Sequence, residues 1–193
     1  MYLPLVACVI PPKKACIHCG KTFSPRSTFQ TICSPPCLLK QVNQQERQKK
    51  ERAKLDRMMD RAKREGMKTV SDLKAEAQKE VNTYVRLRDH GLPCISCGKP
   101  WQDTFQAGHY RTRGAAGHLA LDPRNIAGQC TQCNLHKHGN QIGFRAGLVA
   151  RYGESHVDAL ENDNEVVKLE REELRQIKTI YRALARNLKK EKA

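Results

Sequence analysis

The sequence predicts an α+β fold that is mostly helical: a small four-cysteine module, a long charged helical arm, and a cysteine-stapled core of short strands with flanking helices. Three observations predict it. Eight of the nine cysteines fall into four close pairs, which act as staples where burial is scarce. Only 39% of the 193 residues are hydrophobic and 5% aromatic, too few for one large apolar core. Outside the cysteine-rich blocks, the chain carries long stretches of helix-favouring residues, several with apolar side chains at helical spacing.

Charge narrows the partner. Lys and Arg number 35 against 20 Asp and Glu, a formal +15, which favours a polyanion and above all nucleic acid. No run approaches the roughly 20 apolar residues of a bilayer-spanning helix, so no membrane partner is expected. The opening Met1–Ile10 is apolar but lacks a basic start and a small-residue cleavage pattern, which argues against export. A cytoplasmic chain keeps its thiols reduced, and paired cysteines there are metal ligands rather than disulfides. Cys8 is left over as a small hydrophobe, and residues 1–15 read as a loose lead-in.

Residues 1–37 form the first module, where Cys16-x-x-Cys19 and Cys33-x-x-x-Cys37 bracket a 13-residue insert with turn-forming Gly20 and Pro25. Residues 38–70 are the arm. From Leu38 to Gly66 it has ten Lys or Arg against five Asp or Glu and only a thin stripe of Leu55, Met58 and Met59. It reads as a solvated spacer or as a rod lying along phosphates. Residues 71–163 form the core domain. Ser71 caps a helix running to about His90 that carries Leu73, Ala77 and Val81, and Gly91 and Pro93 stop it. Leu92 to Asn140 is read as short strands and loops closing in a short helix, followed by helices at 144–152 and 155–160 separated by Gly153. Residues 164–193 hold a last helix from about Val167 to Lys190, whose Leu174, Ile177, Tyr181, Leu184 and Leu188 line one face that packs inward or pairs with a second copy as a homodimer.

Cys94-x-x-Cys97 and Cys130-x-x-Cys133 are two knuckles separated by 32 residues, the spacing of a tetrahedral zinc ion held by four thiolates. An all-sulfur shell leaves no open position, so this zinc is structural. It contributes on the order of 10 kcal/mol to a segment with little core of its own. Cys16, Cys19, Cys33 and Cys37 form a second quartet of the same kind, with His18 an alternative ligand.

Between and just beyond the second pair of knuckles lies Gly108-His109-Tyr110, then Arg124-Asn125-Ile126, then Cys133-Asn134-Leu135-His136-Lys137-His138-Gly139-Asn140. His109 precedes Asn125 by 16 positions, Asn125 precedes Asn134 by 9, and Asn134 immediately follows a knuckle cysteine. Over residues 92–140 this pattern resembles the HNH, or ββα-metal, endonucleases, and in particular the phage endonuclease VII class of junction resolvases. The likeness extends over almost the whole chain: Cys33-Ser34-Pro35-x-Cys37, the charged arm, Leu92-Pro93-Cys94-Ile95-Ser96-Cys97-Gly98, Ala107-Gly108-His109-Tyr110-Arg111-Thr112, and the Cys-Asn-x-His-Lys-x-Gly-Asn run. In these the sequence resembles the NinG, or Rap, recombination proteins of lambdoid phages. The resemblance implies a bacterial host cell and a structure-specific endonuclease acting on branched DNA such as D-loops and Holliday junctions. The alternative is a non-catalytic, zinc-containing DNA-binding accessory protein with a degenerate site.

The residue types suit phosphodiester hydrolysis. An imidazole at His109 is neutral near pH 7 and can take a proton from water. Asn134 offers a hard oxygen to Mg²⁺ or Mn²⁺, with His136 and His138 as further candidate ligands. By analogy with HNH enzymes, Asn125 holds the hairpin that aims His109. His138 shares a helix face with Asn134 if the turn runs that far. Arg111, Arg113 and Lys137 are placed to grip phosphates. The resembling enzymes often carry Asp or His immediately before the base, where this chain has Gly108; His136, His138 or Asp103 could fill that vacancy.

Overall fold

The computed structural model describes residues 12–192. The apolar opening, Cys8 and most of the lead-in lie outside these described residues. The chain divides into two compact units, residues 1–67 and 68–193.

In the first unit, β1 (Lys14–Ala15) and β2 (Thr22–Phe23) form a small antiparallel hairpin around Cys16 and Cys19, with Lys14 opposite Phe23. Helix α1 then spans Pro35–Met67, starting with two prolines, whose missing N–H groups suit a first helical turn. It buries no residue. Leu55, Met58 and Met59 are each more than half exposed, so the helix rests on the propensity of its Gln, Glu, Lys and Arg.

The second unit starts with α2 (Val70–Arg88). Its cap is Thr69 and not Ser71: the Thr69 hydroxyl accepts the Asp72 N–H at 3.2 Å, and the Asp72 carboxylate accepts the Thr69 N–H at 2.9 Å. This reciprocal capping box needs an acidic residue three places on, which Ser71 does not have. Leu73, Ala77, Val81 and Val85 of α2 are buried with Leu121, Ile126 and Leu174, and partly buried Ile177 and Tyr181 pack against them. Leu174, Ile177 and Tyr181 belong to α5 (Arg171–Glu191), which begins with a capping box from Glu170 to Glu173, later than the expected Val167. The apolar face of α5 therefore packs inward on α2, with Ala185 buried in the last turns and Leu184 39% exposed. This helix belongs to the same unit as the core.

Two strands carry the centre of this unit. β3 (Gln106–His109) and β4 (Ile126–Gln129) pair antiparallel, with Gln106 opposite Gln129 and His109 opposite Ile126. Short 3₁₀ turns at Gly117–Leu121 and Pro123–Asn125 connect them. After β4 comes a single π-helical turn, Gln132–His136, in place of an ordinary short helix. Helices α3 (Gln141–Tyr152) and α4 (Glu154–Asn162) follow, broken at Gly153 as expected. They bury Phe144, Leu148, Val157 and Leu160 in a second cluster with Ile95, Tyr110 and Leu119. α3 lies hard against the first knuckle of this unit: a Cβ on Gly147 would stand 1.8 Å from the Ile95 carbonyl oxygen, and one on Gly143 2.2 Å from that of Ser96. Two glycines four apart thus let helix backbone approach knuckle backbone. The ββα-metal-like arrangement is a strand pair lying beside a cysteine cluster, with helices around both. Among the described residues no helix is long and apolar enough to cross a membrane.

Candidate functional site

The two cysteine quartets assemble as spaced. In each, the ligand sulfurs lie within 4.8 Å of one another. A tetrahedral ion with Zn–S bonds of about 2.3 Å sets its sulfurs about 3.8 Å apart. The Cys19–Cys33, Cys33–Cys37 and Cys97–Cys130 sulfur separations are 3.7, 3.6 and 3.8 Å, so both quartets fit zinc. His18 is not among the clustered ligands. The first knuckle of each quartet is folded in the same way. Cys16 donates its N–H to the Lys21 carbonyl and Cys94 to that of Lys99, while Gly20 and Gly98 donate back to Cys16 and Cys94. Both glycines have φ near +70°, at 72° and 69°, which closes the turn without strain. The backbone N–H of Cys19 draws the Cys16 thiol down to about 6, whereas burial pushes Cys133 up to about 12.

His109 ends β3, and its partly buried ring has a defined tautomer. Nε2 lies 3.0 Å from the carbonyl oxygen of Ala120. A carbonyl can only accept, so Nε2 carries the proton and Nδ1 is left as the basic nitrogen. No described residue engages Nδ1. Burial is the main cause that moves the His109 pKa below its usual 6.5; the Arg113 charge lowers it too, and the Ala120 hydrogen bond opposes them. The ring is therefore neutral near pH 7.

Asn125 is fully buried and holds the chain leaving β3. Its Oδ1 accepts the Arg111 N–H at 2.8 Å, and its Nδ2 donates to the Arg111 carbonyl at 2.9 Å and the Leu119 carbonyl at 3.2 Å. Its own backbone carbonyl accepts the Tyr110 N–H at 2.8 Å. One side chain thus ties the residues just after His109 to the turn that carries Ala120, the acceptor for His109.

Gly108 has no room for a side chain. A Cβ there would lie 2.2 Å from Oε1 of Gln129. Gln129 is itself fully buried and anchored, its Nε2 donating to Ser96 Oγ at 2.7 Å and the Gly139 carbonyl at 2.6 Å. Two residues back on the same strand face stands Gln106, whose Oε1 accepts a hydrogen bond from Nδ2 of Asn134. Reading the motif alone misses Gln106. The signal that finds it is strand alternation, which gives positions 106 and 108 a common face.

Gln106 and Asn134 lie on the wall of a cleft of about 550 Å³ between α2 and the hairpin, together with Gln78, Lys79, Arg86 and Arg113. Gln78, on the wall of this cleft, is a neighbour of His109: its Nε2 stands 3.4 Å from the imidazole Nε2, a packing contact, since both nitrogens carry protons. Gln78 and Asn134 both line this cleft, whereas His109 does not line it and adjoins it through Gln78.

The other candidates are placed differently. The π-turn ends at His136, and His138 adopts φ 47°, so Asn134 and His138 do not share a helix face. His136, Lys137 and His138 are exposed, and among the described residues neither His136, His138 nor Asp103 joins a cluster of three potential ligands. The Arg111 guanidinium is occupied: it donates to the Leu160 and Asp163 carbonyls and to Oδ1 of Asn164. It staples α4 to the hairpin and is not free to grip a phosphate. Arg113 is exposed at the cleft.

No solved structure matches the chain. The sequence family described as "Bacteriophage Lambda NinG protein" matches residues 9–191. The chain is 36% identical over 186 residues to "Protein ninG" of Salmonella phage P22, covering 89% of this chain and 91% of that protein. It is 35% identical over 195 residues to "Protein ninG" of Escherichia phage lambda, covering 93% and 95%. A similar relative from Escherichia phage 933W is 34% identical over 193 residues, covering 93% and 95%. With nearly its full length matched, the chain belongs to the bacteriophage lambda NinG protein family.

Proposed function

We propose that this protein is a metal-dependent, structure-specific DNA endonuclease that cleaves branched recombination intermediates such as D-loops and Holliday junctions in the host cytoplasm. The observation that carries the reading is His109: its Nε2 donates to the Ala120 carbonyl, its Nδ1 is unengaged, and its pKa is lowered beside a cleft lined by cations.

Nδ1 of His109 takes a proton from the attacking water as its oxygen bonds to phosphorus. A P–O bond then breaks and the leaving oxygen takes a proton from solvent water, so that one strand end carries a phosphate and the other a hydroxyl. Asn125 keeps the imidazole aimed by tying Arg111 and Leu119 together. Asn134 and its neighbour Gln106 present carboxamides of the hard-oxygen type that Mg²⁺ or Mn²⁺ takes, and these residues would hold the ion, with His136 and His138 as outer candidates. When bound, the ion offsets charge on the phosphate and the leaving oxygen. Arg113 and Lys137 hold phosphates either side of the cut. A symmetric cut of a four-way junction needs two copies; of the apolar face of α5, Leu174, Ile177 and Tyr181 already pack on α2.

A second reading, a non-catalytic recombination accessory protein, is favoured by one observation: Gly108 leaves no room for the acidic or imidazole ligand that many HNH enzymes carry there. The two separate on labelled four-way junctions, D-loops and linear duplex of the same sequence, incubated with zinc-loaded protein and Mg²⁺ or Mn²⁺. The endonuclease reading expects nicks in the branched substrates. Tight binding with intact strands under both ions supports the accessory reading.

A further inference from the structure

The acidic and basic side chains of α2 are sorted onto different faces. Glu76 pairs with Lys178 at 2.7 Å and with Lys68 at 2.6 Å, and Glu80 pairs with Arg182 at 2.7 Å. Asp72 is used in the capping box. These contacts neutralise the acids of α2 on the side where α5 packs. On the opposite side stand Lys74, Lys79 and Arg86, all exposed, and none forms a salt bridge among the described residues. Arg113 faces them across the cleft and is likewise without a salt bridge.

The cleft that holds Asn134 is lined by Lys79, Arg86 and Arg113. A second cleft of about 400 Å³ is lined by Ser71, Lys74 and Arg113 and shares Ala75 and Gln78 with the first. The two form one continuous groove along α2. Its polar lining of Gln78, Asn82 and Thr83 interleaves the cations with neutral hydrogen-bonding groups. From Lys74 to Arg86 the helix advances about 18 Å. That is the axial length of about five nucleotides of one strand of B-form DNA.

We propose that this face of α2, with Arg113 opposite, is the track that seats the phosphate backbone of one DNA strand and leads it into the site at His109 and Asn134. The inference rests on the endonuclease reading for the place where the strand is cut, but not for the groove itself. Phosphates fit because the groove is open and offers, at intervals, cations that form no salt bridge among the described residues, with neutral hydrogen-bonding groups between them. The α1 arm, although basic, has its cations interspersed with acids along its length.

The test is fluorescence anisotropy of a labelled four-way junction, without added Mg²⁺, with the zinc-loaded full chain from about 50 to 200 mM salt. One triple variant carries Lys74→Gln, Lys79→Gln and Arg86→Gln. A control carries Arg186→Gln, Lys189→Gln and Lys190→Gln on α5, an equal loss of charge. Far-UV circular dichroism and zinc content establish that both fold. The track predicts that the α2 variant loses about two to three units of the log Kd against log salt slope. It also predicts binding weakened by about tenfold or more at the upper salt, with the control close to wild type. An unchanged slope, an equal loss in both variants, or absence of salt-dependent binding by the wild type overturns it. Because nothing is cleaved, the outcome is separate from the endonuclease reading: a protein that binds through α2 yet never cuts retains the track and loses the nuclease.

Discussion

The imidazole Nε2 of His109 and the carbonyl oxygen of Ala120 are 3.0 Å apart, which assigns the ring proton to Nε2 and leaves Nδ1 as its only basic position. The two residues reach each other because Asn125 joins the chain after His109 to the turn that ends in Ala120 and Leu121.

This contact sets the pH dependence of cleavage. Burial holds the His109 pKa below 6.5, so the neutral, proton-accepting form prevails above that lowered value and is lost as pH falls through it. Single-turnover cleavage should rise with pH and reach its plateau with a midpoint under 6.5. A midpoint well above 6.5 would show that another group is the base.

Asn125→Ala removes three hydrogen bonds at a fully buried position and strands the backbone groups of Arg111 and Leu119. The expected cost is about 2–4 kcal/mol of folding stability. Urea unfolding of the zinc-loaded protein measures it. A loss below about 0.5 kcal/mol would contradict the bracing role.

Gly108→Asp places the acid found in related HNH sites where Gln129 already lies, 2.2 Å from the new Cβ. The variant should be destabilised by about 1–3 kcal/mol and should not gain activity. Trimming the obstacle with a companion Gln129→Ala should not restore full stability, because Ser96 and Gly139 lose their partner. Melting curves of the single and double variants decide it, and a Gly108→Asp protein as stable as wild type contradicts the crowding.

Arg111 and Arg113 are two residues apart and should behave oppositely. Arg111→Ala breaks the staple to Leu160, Asp163 and Asn164 and should lower thermal stability. Arg113→Ala should leave the melting temperature within about a degree and weaken junction binding, with the salt slope lower by about one. If Arg113→Ala binds as well as wild type, its place in the cleft has no bearing on DNA.

Several features were legible because they depend on spacing alone. The cysteine quartets, the apolar stripe of α5 and the break at Gly153 follow from periods and pairings within a few residues. Others depend on partners far along the chain. The phosphate grip expected of Arg111 gives way to carbonyls some fifty residues downstream, which no local pattern announces. The cap moves from Ser71 to Thr69 because the acid at Asp72 completes a reciprocal pair only from there. The face expected to unite Asn134 and His138 fails because a π-turn ends before it and His138 turns left-handed. Gln106 stands out only in the folded chain, where Gln129 fills the space at Gly108 and Asn134 donates to the Gln106 carboxamide.

The central claim is that His109 removes a proton from the attacking water, and single-turnover cleavage of a labelled four-way junction by His109→Ala tests it most directly. With Mg²⁺ or Mn²⁺ present, the account predicts junction affinity within about twofold of wild type and a cleavage rate lower by about 10²–10⁴-fold. A His109→Ala protein that cuts at the wild-type rate would contradict it.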